Sequence, residues 1–289
     1  MPPQRMITTR MITPATITII PTIVIAIAIT MAGAAPIAII IITTTTRRSM
    51  ASRTIIDMTA PKTEGAVFAE LPLLLWLSPA FPVGAFAYSH GLEWAVESGD
   101  VTDAASLGDW LEDLLCFGAP RSDAILFALA FRAAAAADRD ELASLNELAV
   151  ALAGSAERRL ETIAQGGAFL AAIRGAWARP ALDLIADKGE PVAYPIAVAL
   201  AAAGHRLPLE SCLEAFVLSF VANLVSAAVR LGPIGQSDGQ RVLAKLLHRV
   251  RGVAAEAANA GVDDLGGCAL RSDIAAMKHE TQYSRLFRS

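Results

Sequence analysis

The sequence predicts an all-α fold: a single helical-bundle domain of roughly eight to ten helices behind an atypical low-complexity N-terminal extension. Three observations carry this. Hydrophobic residues make up 54% of the 289-residue chain but aromatics only 6%, so the core is built from Ala and Leu rather than from the β-branched and aromatic residues that strands favour. From residue 66 onward, apolar positions recur at three- and four-residue steps. No segment shows the strict alternation bounded by turn residues that marks a hairpin.

Taken in order, a short apolar segment at Val67–Leu77 ends at Ser78-Pro79. A loop rich in Pro and Gly, Ser78–Gly84, leads to a helix expected from about Phe86 to Glu97, closed by Gly99. Asp103 offers an N-cap for a helix whose Leu107, Trp110, Leu111, Leu114 and Leu115 share one face. Pro120 opens the next, through Leu126 and Leu129 into an Ala-rich stretch, and Asp140 is expected to cap another through Leu142, Leu145 and Leu148. A helix from near Ser155 to about Trp177 is stopped by Pro180, and Tyr194-Pro195 opens a short one that ends at Gly204. Pro208 stands at the first turn of a helix carrying Leu213, Phe216, Val217, Phe220, Leu224 and Val225 on a wide apolar stripe. After Gly232-Pro233 a helix runs from about Ser237 to Val253, and a last one spans roughly Ala269–Lys278. Short loops predict antiparallel neighbours.

Charge divides the chain. Residues 1–62 hold six basic residues and one acid, a net of +5, whereas residues 63–289 hold 18 basic and 27 acidic residues, a net of −9. The total of −4 is a cancellation, and an acidic body argues against nucleic-acid binding by phosphate neutralisation. No charged residue stands between Arg10 and Arg47, and the segment 11–46 is long and apolar enough to span a bilayer. Its Ile/Thr repeats, Pro21, Pro36 and the run Thr43–Thr46 read as translated upstream sequence more than as a selected anchor, with Met50 and Met58 available as later starts. A membrane-anchored helical protein is the alternative from another class. The three cysteines, Cys116, Cys212 and Cys268, are far apart and fit a reducing compartment.

Catalytic patterns are missing. There is no G-x-x-x-x-G-K-[ST] loop, no C-x-x-C and no His pair at zinc-ligand spacing among His90, His205, His248 and His279. The expectation is a protein that is not an enzyme and holds no metal of its own.

Polar residues in unusual places remain. Ser78, Pro79, Pro82 and Gly84 lie between two helices, and Ser89 and Glu93 follow, Glu93 read as a solvated or capping charge. Ser219, Asn223, Ser226 and Arg230 form a second stripe on an apolar helix; such groups find partners or water, so the stripe is either a partner surface or polar passage, or a self-satisfied contact between helices. The tail from His279 to Arg288 mixes Tyr, Leu and Phe with charges, as frayed ends and docking peptides both do.

Three motif groups together resemble the UreF family of urease accessory proteins. One runs from Leu77-Ser78-Pro79 through Pro82-Val83-Gly84-Ala85-Phe86 to Tyr88-Ser89-His90-Gly91-Leu92-Glu93. Another joins Tyr194-Pro195, Ala222-Asn223-Leu224-Val225-Ser226 with Arg230-Leu231, and Pro233-Ile234-Gly235-Gln236 with Gln240-Arg241. The third is His279-Glu280, Gln282-Tyr283 and Arg285-Leu286-Phe287. They stand in family order from about Glu70 to Ser289; Ala85 replaces a common glycine, and residues 1–62 have no counterpart.

The resemblance implies a cytoplasmic, non-catalytic protein that bridges a UreD/UreH-like accessory protein and a UreG-like GTPase. That complex would insert nickel into apo-urease with GTP hydrolysis. It also implies a homodimer within the complex, no cofactor bound by this chain, and at most a transient passage of nickel. The tail is expected to order against the UreD-like partner, with Leu286 and Phe287 as apolar anchors and Arg285 as a charge contact, while Arg241 is a candidate contact for the GTPase.

Overall fold

A computed structural model describes residues 70–185 and 191–289; the extension 1–62, the apolar 11–46 segment and the start of the first expected helix lie outside the described residues. Among the described residues there are ten α-helices and three short 3₁₀ turns, with no strand, so the expected fold class holds. The helices are α1 (Leu71–Trp76), α2 (Leu92–Glu97), α3 (Ala104–Phe117), α4 (Ala119–Ala135) and α5 (Arg139–Ala151). They continue with α6 (Ala156–Ala176), α7 (Tyr194–Gly204), α8 (Leu209–Leu231), α9 (Gln236–Asn259) and α10 (Leu270–His279).

Helices α4 and α7 form the centre. Eight of the eleven residues of α7 are buried, from Pro195 to Ala202, as expected of a helix that is apolar all round. It packs on α4, α5 and α6, while α4 also meets α3, α8 and α9. Small side chains permit this crowding. An added Cβ on Gly166 of α6 would lie 1.9 Å from the Val192 carbonyl oxygen, so only glycine lets α6 pass this close to the strand of backbone entering α7.

Local chemistry fixes most boundaries. Asp103 accepts the Ala105 and Ser106 N–H groups while the Ser106 hydroxyl accepts the Asp103 N–H, a reciprocal cap that starts α3. The Asp103 carboxyl is held below its ordinary range by these same N–H and hydroxyl donors. Asp138, not Asp140, caps α5, because its carboxylate is the one that reaches the Glu141 N–H. The helix expected over Phe86–Glu97 is broken: Ala85–Ala87 is a 3₁₀ turn, and α2 begins only at Leu92. The break comes at His90 and Gly91, whose φ values of +53° and +75° are left-handed. Gly91 is required twice over, since a Cβ there would also lie 2.6 Å from the Ala276 N of α10. Helix α9 runs to Asn259, past the expected Val253.

Two helical stretches, Ala104–Ala135 and Leu209–Leu231, are long and apolar enough to cross a membrane by length and composition, but about half of each is buried in the protein's own core.

Gly166→Ala should destabilise the chain by about 2 kcal/mol or more, because the methyl meets backbone rather than a movable side chain. Urea denaturation followed by circular dichroism measures this; wild-type stability in the variant would contradict the close approach of α6 to Val192.

Candidate functional site

The first and third motif groups come together as one seam. Glu93, on the first turn of α2, is buried rather than solvated. Its Oε1 accepts the Leu286 N–H at 2.6 Å and its Oε2 accepts the Phe287 N–H at 2.9 Å. The same Oε2 meets Nε2 of the fully buried His279 at 3.1 Å. The other ring nitrogen of His279 faces Oε2 of Glu157 at 2.7 Å. Glu157 also holds Arg285 at 2.6 Å, and Glu280 accepts the Ala156 N–H at the start of α6 at 2.8 Å. Gln282 donates to Glu97.

The end of the segment is tied as tightly. The Ser289 main-chain oxygen accepts the Ser89 N–H at 2.6 Å and also the Ser89 hydroxyl, while the Arg288 N–H donates to the Ala87 carbonyl at 2.8 Å. Phe287 is only 3% exposed and lies under the Arg230 guanidinium, 4.4 Å from its ring centre. Phe287 is therefore not a free anchor for a partner, as the sequence suggested: its ring is already enclosed by its own chain. Leu286 is 65% exposed and Tyr283 fully so.

The α8 stripe supports this seam from behind. Asn223 donates to the carbonyls of Ala85 and Tyr88 at 3.0 and 3.3 Å, and Arg230 donates to the Phe86 carbonyl at 2.6 Å. Arg230 is partly desolvated, which lowers its pKa from the ordinary value. Asn223 and Arg230 thus find carbonyl partners within the chain, while Ser219, Asn223 and Ser226 also line a cavity. The Ser219 hydroxyl bonds back to the Phe216 carbonyl of its own helix, and Ser226 is exposed, its carbonyl accepting from Arg230.

The remaining candidates serve other places. Ser78 donates to the Leu75 carbonyl at 2.8 Å, ending α1 beside Pro79, and Pro82 and Phe86 are exposed around the left-handed Gly84. Gln236, Gln240 and Arg241 lie exposed on the first turns of α9, where Arg241 pairs with Asp238 of the same helix.

A second buried cluster, missed by sequence reasoning, adjoins the seam. His90 meets Glu161 at 2.9 Å, and Arg158 links Glu161, at 3.2 Å, to Asp123. Gln165 donates to Glu161 at 2.8 Å, and the Ser289 hydroxyl reaches the other Glu161 oxygen at 3.3 Å. Burial alone would raise the Glu161 carboxyl, but His90 and Arg158 outweigh it and hold the group below its ordinary value. For Asp123, burial prevails over Arg158 and pushes the carboxyl up. The signal was present in α6: Glu157, Glu161 and Gln165 stand four apart, so they share a face, and that face turns inward while Leu160 is 60% exposed.

Two cavities flank this cluster, of about 310 and 150 Å³, and His90, Asp123 and Arg158 line both. The larger opens toward Ser272, Met277 and Ser289, the smaller toward Trp76, Tyr194 and Asn223. Among the described residues, no three His, Cys, Asp or Glu side chains are arranged to hold a metal ion.

Residues 101–247 match the UreF family model. The urease accessory protein UreF of Xanthobacter autotrophicus is 60% identical over 221 residues, covering 76% of this chain and 90% of that protein. The protein of the same description from Azorhizobium caulinodans is 51% identical over 233 residues, 80% of this chain and all of that protein. That of Methylobacterium sp. strain 4-46 is 54% identical over 220 residues, 76% of this chain and 88% of its own length.

Replacing Arg158 by Met should cost about 3 kcal/mol, because the half-buried Asp123 loses its partner and the buried Glu161 loses one of its two basic partners. Pairing it with Asp123→Leu should recover a large part of the loss. Chemical denaturation of the two variants checks this, and equal stability of the single variant and wild type would show that the cluster is not held by Arg158.

Proposed function

This chain belongs to the UreF family of urease accessory proteins, and on that premise we propose that it acts in urease maturation as a non-catalytic bridge. It joins a UreD/UreH-like accessory protein to a UreG-like GTPase, as a homodimer within the complex, and that assembly delivers nickel to apo-urease. Nickel is cargo and GTP belongs to the partner, so this chain binds no cofactor of its own. The cytoplasm is its place of action, and neither nucleic acid nor membrane is among its partners.

The observation that carries this reading is the seam. Residues of the first and third motif groups spend their buried polar atoms on one another, which is what shaping a surface requires. The exposed remainder, Tyr283 and Leu286 in the tail and Gln236, Gln240 and Arg241 on α9, offers two separate sets of contacts. We assign the tail to the UreD-like protein and the α9 set to the GTPase. The cavities beside His90 and Arg158 give a transiting ion polar surroundings without a closed ligand set.

In a strain lacking this gene, urease should be made but remain nickel-poor and inactive, and the full chain should restore both. A chain without residues 280–289 should fail to retain the UreD-like partner in pull-down, and circular dichroism of the same chain checks that its helices survive the loss of the Glu93 partners. Unchanged retention would remove the tail from the bridge.

A further inference from the structure

We propose that the larger of the two cavities is a binding site for a small organic amine, an ammonium group on a short apolar stem, whose head is held by Asp273, Asp123 and the hydroxyls of Ser122 and Ser272. The site is independent of the partner assignments made above.

The cavity lies among the ends of α3 and α5, the starts of α4 and α6, and α10. Its volume of about 310 Å³ is that of a small-molecule pocket. Leu114, Phe117, Ala149, Leu152 and Met277 give it apolar walls, which suit a hydrocarbon stem better than a bare ion. Ser122 and Ser272 line it too. Each is only 8% exposed, and neither hydroxyl has a hydrogen-bond partner among the described residues. Buried hydroxyls are normally paired, so two left open toward one space point to a ligand within it. The depth of these serines suits a free small molecule.

The balance of charge gives the sign of that ligand. Asp273, in the first turn of α10, makes no ion pair among the described residues, and its carboxyl feels burial alone, which pushes it up. Asp123 has Arg158, but that guanidinium is shared with Glu161, so three carboxylates stand against one permanent cation. His90 also lines the cavity, with its ring on Glu161 at 2.9 Å; even a protonated His90 leaves one carboxylate over. The other bases near the rim are turned elsewhere, Arg121 to the Asp264 and Gly266 carbonyls and Arg271 to Asp100. An ammonium head supplies the missing charge, and its three N–H groups donate to carboxylate and hydroxyl oxygens. An anion would face Asp273 uncompensated.

Calorimetry on the full chain, at neutral pH and fixed ionic strength, tests this with n-butylamine and n-butanol as probes. The amine should bind at least tenfold more tightly than the alcohol, which has the stem without the charge. Asp273→Asn should weaken amine binding at least tenfold and leave the alcohol unchanged, and Ser122→Ala/Ser272→Ala should weaken the amine several-fold. Asp109→Asn, on the exposed side of α3, should change nothing. Equal affinity for amine and alcohol overturns the ammonium; amine binding that Asp273→Asn spares, or that Asp109→Asn lowers as much, overturns the site; no measurable amine binding overturns both. Should Asp273→Asn fail to fold by circular dichroism, the double serine variant decides. Repeating the titration on the complex with the UreD-like protein checks the source: unchanged affinity supports a free amine, and its loss gives the pocket to a side chain of that protein and overturns the free ligand.

Discussion

A buried carboxylate must be compensated, and much of this structure follows from how Glu93 is. Left alone in the core, its charge would cost several kcal/mol. Two N–H groups and an imidazole supply what it needs, and all three come from the far end of the chain. The demand of one side chain on α2 thereby fixes where α10 lies and how the segment after it runs. The left-handed turn at His90-Gly91 belongs to the same solution, since it brings Ser89 to the Ser289 oxygen and lets α10 pass over a residue with no Cβ.

Helix α6 is the second half of that solution. Its polar face turns into the protein, with Glu157 serving the tail and Glu161, one turn on, serving His90 and Arg158. Such clusters are a weak source of stability, because the desolvation of each charge offsets most of its attraction to the next. What they supply is selectivity among arrangements. A tail shifted by one residue would take the Arg285 side chain from Glu157, a penalty that an apolar contact slipping by one position does not carry.

The helices were legible in the sequence wherever one face is apolar and the ends are punctuated: Asp103 before α3, Ser155 before α6, Pro195 in α7 and Pro208 before α8 all stand where the structure uses them. What escaped was set by distant residues. Between Phe86 and Glu97 only Gly91 announces a break, and one glycine within a helical pattern is tolerated; the contacts that use it, His90 on Glu161 and Gly91 against α10, lie more than 70 residues away. Glu93 read as solvated since charged residues usually are; only its partners 186 to 194 positions later make burial tolerable. Phe287 read as a free anchor because the guanidinium that covers it stands 57 positions earlier on α8. The inward face of α6 was hidden by its mixed pattern, in which Leu160 is outside and Glu161 inside.

These long-range ties also sort the motif residues by task. Ser89, Glu93, Asn223, Arg230, His279 and Phe287 have their polar atoms or rings satisfied inside one chain, and a substitution there acts on shape first. Gln236, Gln240, Arg241, Tyr283 and Leu286 are exposed, and changing them alters what the surface offers with little effect on how it is built. Sequence proximity conceals the division, because Leu286 and Phe287 are neighbours in the chain yet face opposite ways. Glu93 takes both of their N–H groups, which fixes a bend there, and one side chain lies in the core beneath Arg230 while the other faces solvent. A motif in this protein is thus a record of two constraints interleaved residue by residue, one set by a buried carboxylate and the other by whatever meets the tail from outside.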